Sequence, residues 1–231
     1  MKFLDVLRIT ENQPVFTAGM LISGDVDPKD VRRQLSRWKE AGKVIQLRRG
    51  VYALAREFRS SWPHPFVVAN QLVKASYVSL QSALAWYGMI PEHVPATTSV
   101  TTQRPWSWDT PAGAFLYRHL KIPLFHSYRS TDVAPGSPAR VATREKALID
   151  LVHLTPGADT RAWLVELRLQ DLGSLDLPAL TELVRRSGSP KLERARRIIE
   201  ELREDELRDD RRGRAPVGQG HPREHPGEEP R

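Results

Sequence analysis

Between Asp27 and Gly42 the apolar residues fall at Val31, Leu35 and Trp38, the i, i+4 and i+7 spacing of a single helical stripe. Asp27 offers an N-cap oxygen, and Pro28 suits the first helical position because its missing N–H costs nothing there. Gly42 stands where a left-handed C-cap is wanted. At about 100° per residue, Lys29, Arg32, Arg33, Ser36 and Arg37 project away from the stripe, with Glu40 among them. The pattern predicts one packed face and one strongly basic solvent face. Directly afterwards the period shortens to two. If Arg49-Gly50 is a two-residue loop, Leu47 lies opposite Tyr52 and Ile45 opposite Leu54, which leaves Arg48 and Arg49 at an exposed tip. Upstream, Phe3, Leu4 and Leu7 mark a first amphipathic helix, and Thr17 is positioned to cap a short second one through Met20 and Leu21. Helix, helix, basic helix and hairpin within about 55 residues predict a winged helix-turn-helix over residues 1–58, its basic helix presented to a DNA major groove. A small scaffold with an ordinary solvated charged face is the plainer account. Agreement of cap, stripe, basic face and basic turn favours DNA binding.

Residues 59–65, Arg59-Ser60-Ser61-Trp62-Pro63-His64-Pro65, are polar and interrupted by proline, predicting a linker that few contacts cross. Beyond it Phe66–Lys74 reads as a helix, and Ser79 is placed to cap another through Leu80, Leu84 and Trp86 to a stop at Gly88. Short extended stretches follow at Thr97–Thr102, Ala114–His119, Leu124–Tyr128 and Ala139–Ala142. Thr143 begins a helix through Ala147, Leu148, Leu151 and Val152. From Thr160 the pattern is helical, with start signals at Asp176/Pro178 and Ser189/Pro190. Leu192, Ala195, Ile198, Ile199 and Leu202 form a stripe suited to packing within the same domain. The expected class is therefore α+β: a winged helix-turn-helix, then a small α+β domain over 66–208 with a helical C-terminal part. Beyond Asp210 there are four Gly, four Pro and no aromatic residue in 21 positions. Such a segment buries too little to offset ordering entropy, so 209–231 is expected to be a disordered tail.

Charge sharpens the picture at one end. The chain of 231 residues carries a net +7. Between Arg32 and Arg59, nine Lys/Arg face only Glu40 and Glu57, a local +7, so the remainder sums to zero. A focused patch of this kind attracts a polyanion. No strongly apolar face adjoins the arginines to enter a bilayer, so nucleic acid is preferred to a membrane. No run of about 18 apolar residues is present, and Asp5 and Arg8 interrupt the start, which argues against a span and a secretory signal. Cysteine is absent. That excludes disulfides and thiolate sites and fits a cytoplasmic protein.

Catalytic constellations are largely missing. There is no Gly-x-x-x-x-Gly-Lys loop and no Gly-x-Gly-x-x-Gly. Gly136-Ser137 followed by Asp150 has half of a nucleotidyltransferase spacing, but Asp150-Leu151-Val152 lacks the second carboxylate. A lone Asp does not hold two divalent metals, so a salt bridge or cap is the expected role of Asp150. Asp27-Pro28-Lys29 has the look of a nuclease Asp-x-Lys, yet a helix start explains it better. The seven histidines are scattered: His119 and His126 lie in or beside expected strands with no obvious carboxylate partner, and His221 and His225 lie in the expected disordered tail. No cofactor, no metal and no enzymatic activity are expected.

Three runs carry a resemblance: Leu47-Arg48-Arg49-Gly50-Val51-Tyr52-Ala53-Leu54; Tyr77-Val78-Ser79-Leu80-Gln81-Ser82-Ala83-Leu84 with Gly88-Met89-Ile90; and Ala142-Thr143-Arg144-Glu145-Lys146-Ala147-Leu148-Ile149-Asp150-Leu151. Over about residues 1–155, or to 208 at its widest, the chain resembles the AbiEi family, antitoxins of type IV toxin–antitoxin (abortive infection) systems. The resemblance implies an N-terminal winged helix-turn-helix that represses its own operon at a double-stranded DNA operator, expected to be an inverted repeat. It also implies a C-terminal domain needed for antitoxicity and a separate nucleotidyltransferase toxin as functional partner. By position the family's basic DNA contacts match Arg32, Arg33 and Arg37 on the helix and Arg48 and Arg49 on the hairpin, to which the outward face adds Lys29 and Ser36. Two alternatives stay open: a nucleic-acid-processing enzyme that uses the winged helix to bind substrate, and a winged-helix protein-interaction module.

Overall fold

A short helix, α1 (Phe3–Ile9), a three-residue strand, β1 (Val15–Thr17), and one 3-10 turn (Ala18–Leu21) lead into the basic helix, α2 (Pro28–Glu40). The computed structural model describes residues 1–10, 15–22, 26–59 and 61–213. Asp27 Oδ1 accepts the Lys29 backbone N–H at 2.8 Å, the expected cap of α2. At the other end Gly42 has φ +69°, and the N–H groups of Gly42 and Lys43 return to the carbonyls of Lys39 and Trp38 at 3.0 and 2.8 Å. That pair of bonds is a Schellman closure, which a left-handed residue makes possible.

Two details upstream differ from the expectation. Thr17 does not cap a helix with its side chain. It ends β1 and pairs with Val51, so only one 3-10 turn follows, with the Ala18 N–H held by the Gly50 carbonyl at 2.9 Å. The hairpin also has another register. Strands β2 (Val44–Arg48) and β3 (Val51–Leu54) flank the two-residue Arg49-Gly50 loop, with Arg48 opposite Val51. Behind that pair Gln46 faces Tyr52, Ile45 faces Ala53 and Val44 faces Leu54, so Leu47 is an extra, bulged residue. A slip of one residue exchanges faces. Val44 and Leu54 therefore join Val6, Phe16, Leu21, Val31, Leu35 and Trp38 on one side of the three-stranded sheet. Val15, Leu47, Val51 and Ala53 face the other way, into the core of the rest of the molecule.

That second core is built around a six-stranded mixed sheet. After a 3-10 turn at Arg56–Phe58 come α3 (Pro65–Leu72), β4 (Ser76–Val78), α4 (Leu80–Trp86), β5 (Ala96–Thr101), β6 (Trp106–Thr110), β7 (Gly113–His119), β8 (Tyr128–Asp132) and β9 (Pro138–Ala142). The strand order is β6-β7-β5-β4-β9-β8, with β5/β7 and β4/β9 parallel and the other neighbours antiparallel. The stretch Leu124–Tyr128 is not a strand. Pro123 removes a donor and fixes φ, Ile122–Leu124 closes a 3-10 turn, and pairing begins only at Tyr128. Helices α5 (Arg144–Leu154), α6 (Arg161–Glu166), α7 (Leu177–Ser187) and α8 (Pro190–Gly213) complete the described chain. Thr143 and Asp176 cap α5 and α7 as expected, accepting from Lys146 and Ala179 N–H. The stripe of α8 packs inward through Leu192, Ala195 and Ile199.

Helix α8 runs to Gly213, so residues 209–213 are helical and do not belong to the expected tail. Ion pairs three and four residues apart, such as Arg208 with Glu204 and Asp205, support the turn immediately before it. Residues 214–231 lie outside the described residues. The chain is thus α+β, and among the described residues no helix is long and apolar enough to cross a membrane.

The segment expected as a linker does join the two sheets, but it is not a loose tether. Arg59 donates through Nε to the Leu54 carbonyl at 2.9 Å and lies 4.0 Å over the Trp62 ring. His64 Nδ1 accepts the Phe66 N–H at 3.2 Å, capping α3, and its ring meets Phe66 and Trp86 edge-on. With Val15, Leu47, Val51 and Ala53 in the same core as Val68, Ala69 and Leu72, contacts cross freely between the two sheets.

Candidate nucleic-acid interface

The buried stripe of α2 decides which of its residues face outward. Val31, Leu35 and Trp38 are 1, 0 and 7% exposed, and Trp38 is fixed edge-on against Phe3 with ring centroids 5.4 Å apart. Lys29, Arg32, Arg33, Ser36 and Arg37 consequently stand exposed on the opposite face. Arg33 lies 3.3 Å from Asp30, a well-solvated pair that contributes little and exchanges readily for a stronger anion. Ser36 Oγ donates to Glu40 at 3.3 Å. Among the described residues Lys29, Arg32 and Arg37 make no ion pair. Lys39 Nζ donates to Gln46 Oε1 at 3.0 Å, tying the end of the helix to the hairpin.

The two hairpin arginines separate. Arg49 is exposed at the tip, beside Gly50 with φ +79°. Arg48 is not at the tip: it is half-buried, and its guanidinium lies 5.5 Å over the ring of Trp108 on β6. Among the described residues its Nε finds no hydrogen-bond partner. The cause is the two-residue loop. Arg48 pairs with Val51 in the sheet, and its side chain is drawn onto the neighbouring aromatic surface, where a cation is attracted to the ring face. Six of the seven expected contact residues are therefore exposed and Arg48 is spent on an internal contact.

Reading the sequence did not single out Trp108 or its neighbour Trp106. The available signal was the Trp-x-Trp alternation at 106–108, two large rings on one face of a strand. Asp150 stands deep in the second core. Lys146 Nζ pairs with its Oδ1, while Tyr77 OH and Ser79 Oγ donate to Oδ2 at 2.9 and 2.8 Å. Ser79, expected as a helix cap, therefore spends its hydroxyl on Asp150 and caps nothing with its side chain. Burial and the adjacent Asp150 carboxylate push the Tyr77 hydroxyl far above the ordinary tyrosine range, so it stays a proton donor. Among the described residues no group of three or more His, Asp or Glu is arranged to hold a metal ion. A cavity of about 300 Å³ beside α4 is lined mainly by apolar residues, and its Arg118 is engaged with the Leu154 carbonyl at 2.7 Å.

The α+β arrangement, with the small sheet leaning on a larger mixed one, is the class the fold defines. No family model and no curated protein matches the chain. Among solved structures it is similar to the RV2827C protein from Mycobacterium tuberculosis, with a TM-score of 0.50 and 16% identity over 84% of this chain and 75% of that one. At that identity the likeness speaks for the fold alone.

Proposed function

We propose that this chain is a sequence-specific transcriptional repressor that binds duplex DNA, with residues 1–58 acting as a winged helix-turn-helix and α2 as its recognition helix. One observation carries the reading: Lys29, Arg32, Arg33, Ser36 and Arg37 occupy the solvent face of a helix whose opposite face is locked into a core. A rigid helix presenting arginines in a fixed array is what base-edge and phosphate contacts require. Arg49, exposed at the hairpin tip, supplies a phosphate contact from the wing. The resemblance to the AbiEi family extends the proposal: the chain is the autoregulating antitoxin of a type IV pair and counteracts a nucleotidyltransferase toxin. Burial of Asp150 under Lys146, Tyr77 and Ser79 weighs against its serving as a metal ligand in the enzyme alternative.

The test is fluorescence anisotropy with the duplex lying immediately upstream of this gene. Replacing Arg33 or Arg37 by Ala should cost about 1–3 kcal/mol if the arginine reads a base edge. Arg49→Ala should weaken all sequences alike, as loss of a phosphate contact does. Affinity should fall steeply with salt because released counterions set the slope. Equal affinity for the wild type and an Arg32, Arg33, Arg37 triple alanine variant would remove the assignment of α2. Rescue of growth on co-expression with an adjacent nucleotidyltransferase tests the antitoxin role separately.

A further inference from the structure

The hairpin does not end at its own tip. Arg48 lies against Trp108, and Trp108 lies against Trp106 with ring centroids 5.5 Å apart and planes only 8° from parallel. Tyr117 closes on Trp108 from its edge at 5.4 Å, so the inner indole is covered. Trp106 is the outer member of the row and is 48% exposed. It stands on β6, an edge strand of the six-stranded sheet whose far side is paired with no other strand among the described residues. Burying an indole is worth far more than leaving half of it in water, and a tryptophan already stacked on one neighbour loses little further freedom on binding.

Charge indicates what covers it. Arg104, two residues before Trp106, is exposed, and Arg49 is exposed one residue beyond the Arg48 that touches the row. Asp109, the one carboxylate of β6, alternates onto the opposite face of the strand from Trp106 and Trp108. The chain on either side of the open indole, the segment before β6 and the hairpin tip beyond Arg48, thus carries exposed cations, while the indole itself offers a flat apolar ring and one N–H donor at its edge. A sugar–phosphate chain matches all three: its deoxyribose packs on a ring and its phosphate oxygens accept from guanidinium and indole N–H.

We propose that β6 is a second nucleic-acid contact, in which Trp106 packs on the backbone of duplex DNA flanking the hairpin and Arg104 pairs with its phosphates. This rests on the DNA-binding reading above. Arg48 is then the strut that holds the hairpin in register with β6, which accounts for a hairpin arginine turned inward. The contact reads no bases and sets the length of duplex that the protein covers.

Anisotropy and footprinting on the upstream duplex test this with Trp106→Ala, Trp106→Phe and Arg104→Ala in the full chain. Trp106→Ala should bind about fivefold or more weakly while staying folded at the assay temperature, with a melting temperature lowered only by the lost stacking on Trp108; Trp106→Phe should recover part of the loss, and protection at one flank should shorten. Fluorescence lost between the wild type and Trp106→Phe should become shielded from acrylamide when duplex is added. Wild-type binding together with unchanged binding by Trp106→Ala would overturn this inference and leave the α2 assignment standing. Failure of the wild type to bind any duplex would overturn the α2 reading and this one with it. A loss seen only with a single-stranded oligonucleotide would overturn the duplex contact. A change in oligomeric state at unaltered DNA affinity would make β6 an interface between copies and overturn it equally.

Discussion

Asp150 accepts three donors while 1% exposed, and the Lys146 that faces it is 2% exposed. A buried pair held this way is costly to halve, because removing one charge leaves the other unpaired in low dielectric. Asp150→Ala should lower stability by about 3–5 kcal/mol in urea unfolding. Lys146→Met with Asp150→Leu should be less damaging than Asp150→Ala alone, since no orphan charge remains. A double variant as unstable as the single would show that the hydroxyls of Tyr77 and Ser79, not the charges, set the cost. Histidines act at the same scale. Burial holds His64, His126 and His153 below the ordinary histidine range, helped at His126 and His153 by neighbouring cations, and His64 needs an unprotonated Nδ1 to cap α3. The unfolded chain therefore takes up these protons first as pH falls below about 6.5, so stability is fully present above that value and is lost as pH drops through the folded-state values. Melting temperatures followed from neutral to mildly acid pH should decline accordingly. His64→Asn, which keeps an acceptor at the cap, should flatten the slope.

At the scale of the element, the hairpin shows how one residue redirects a sheet. Leu47 is bulged, so Ile45, Leu47, Val51 and Ala53 turn toward the larger core while Val44, Tyr52 and Leu54 keep the smaller one. The tight loop depends on Gly50 at φ +79°, where an added Cβ would meet no atom within 4 Å. Gly50→Ala should therefore destabilise through backbone strain alone, by about 1–2 kcal/mol. Gly19 provides the contrast: φ is not in the left-handed region and its added Cβ would sit at an ordinary 3.8 Å from Thr17 Oγ1, so Gly19→Ala should be close to neutral. Equal effects of the two substitutions in chemical unfolding would rule out strain as the cause.

Across the whole molecule, the two sheets are not independent. A fragment ending at Arg59 would bare Val15, Leu47, Val51 and Ala53, all at most 6% exposed in the intact chain, and would leave Arg48 without Trp108. The full chain should unfold in one calorimetric transition with matching van't Hoff enthalpy. The fragment should be markedly less stable and bind an apolar dye. Two resolved transitions, the earlier one assignable to the first sheet, would contradict the shared core. If the proposed DNA binding holds, its affinity measured on such a fragment should fall below that of the intact protein.

Local signals were legible without coordinates wherever the physics is local. The Asp27 cap, Pro28, the stripe of Val31, Leu35 and Trp38 and the Gly42 closure all act within a few residues, so the sequence determined α2 and its basic outer face. The same holds for the Thr143 and Asp176 caps and for the inward stripe of α8. What needed the tertiary structure depends on partners far along the chain. Strand β4 is three residues long and exists because β5 and β9 flank it. The hydroxyl of Ser79 had a choice between capping and Asp150, 71 positions away, and the buried carboxylate won. The bulge at Leu47 is invisible in alternation alone, since either register of β2 on β3 buries apolar side chains. Only the presence of a second core behind the sheet makes it favourable to send Leu47 and Val51 there, and only the placement of Trp108 turns Arg48 from a surface charge into an internal strut.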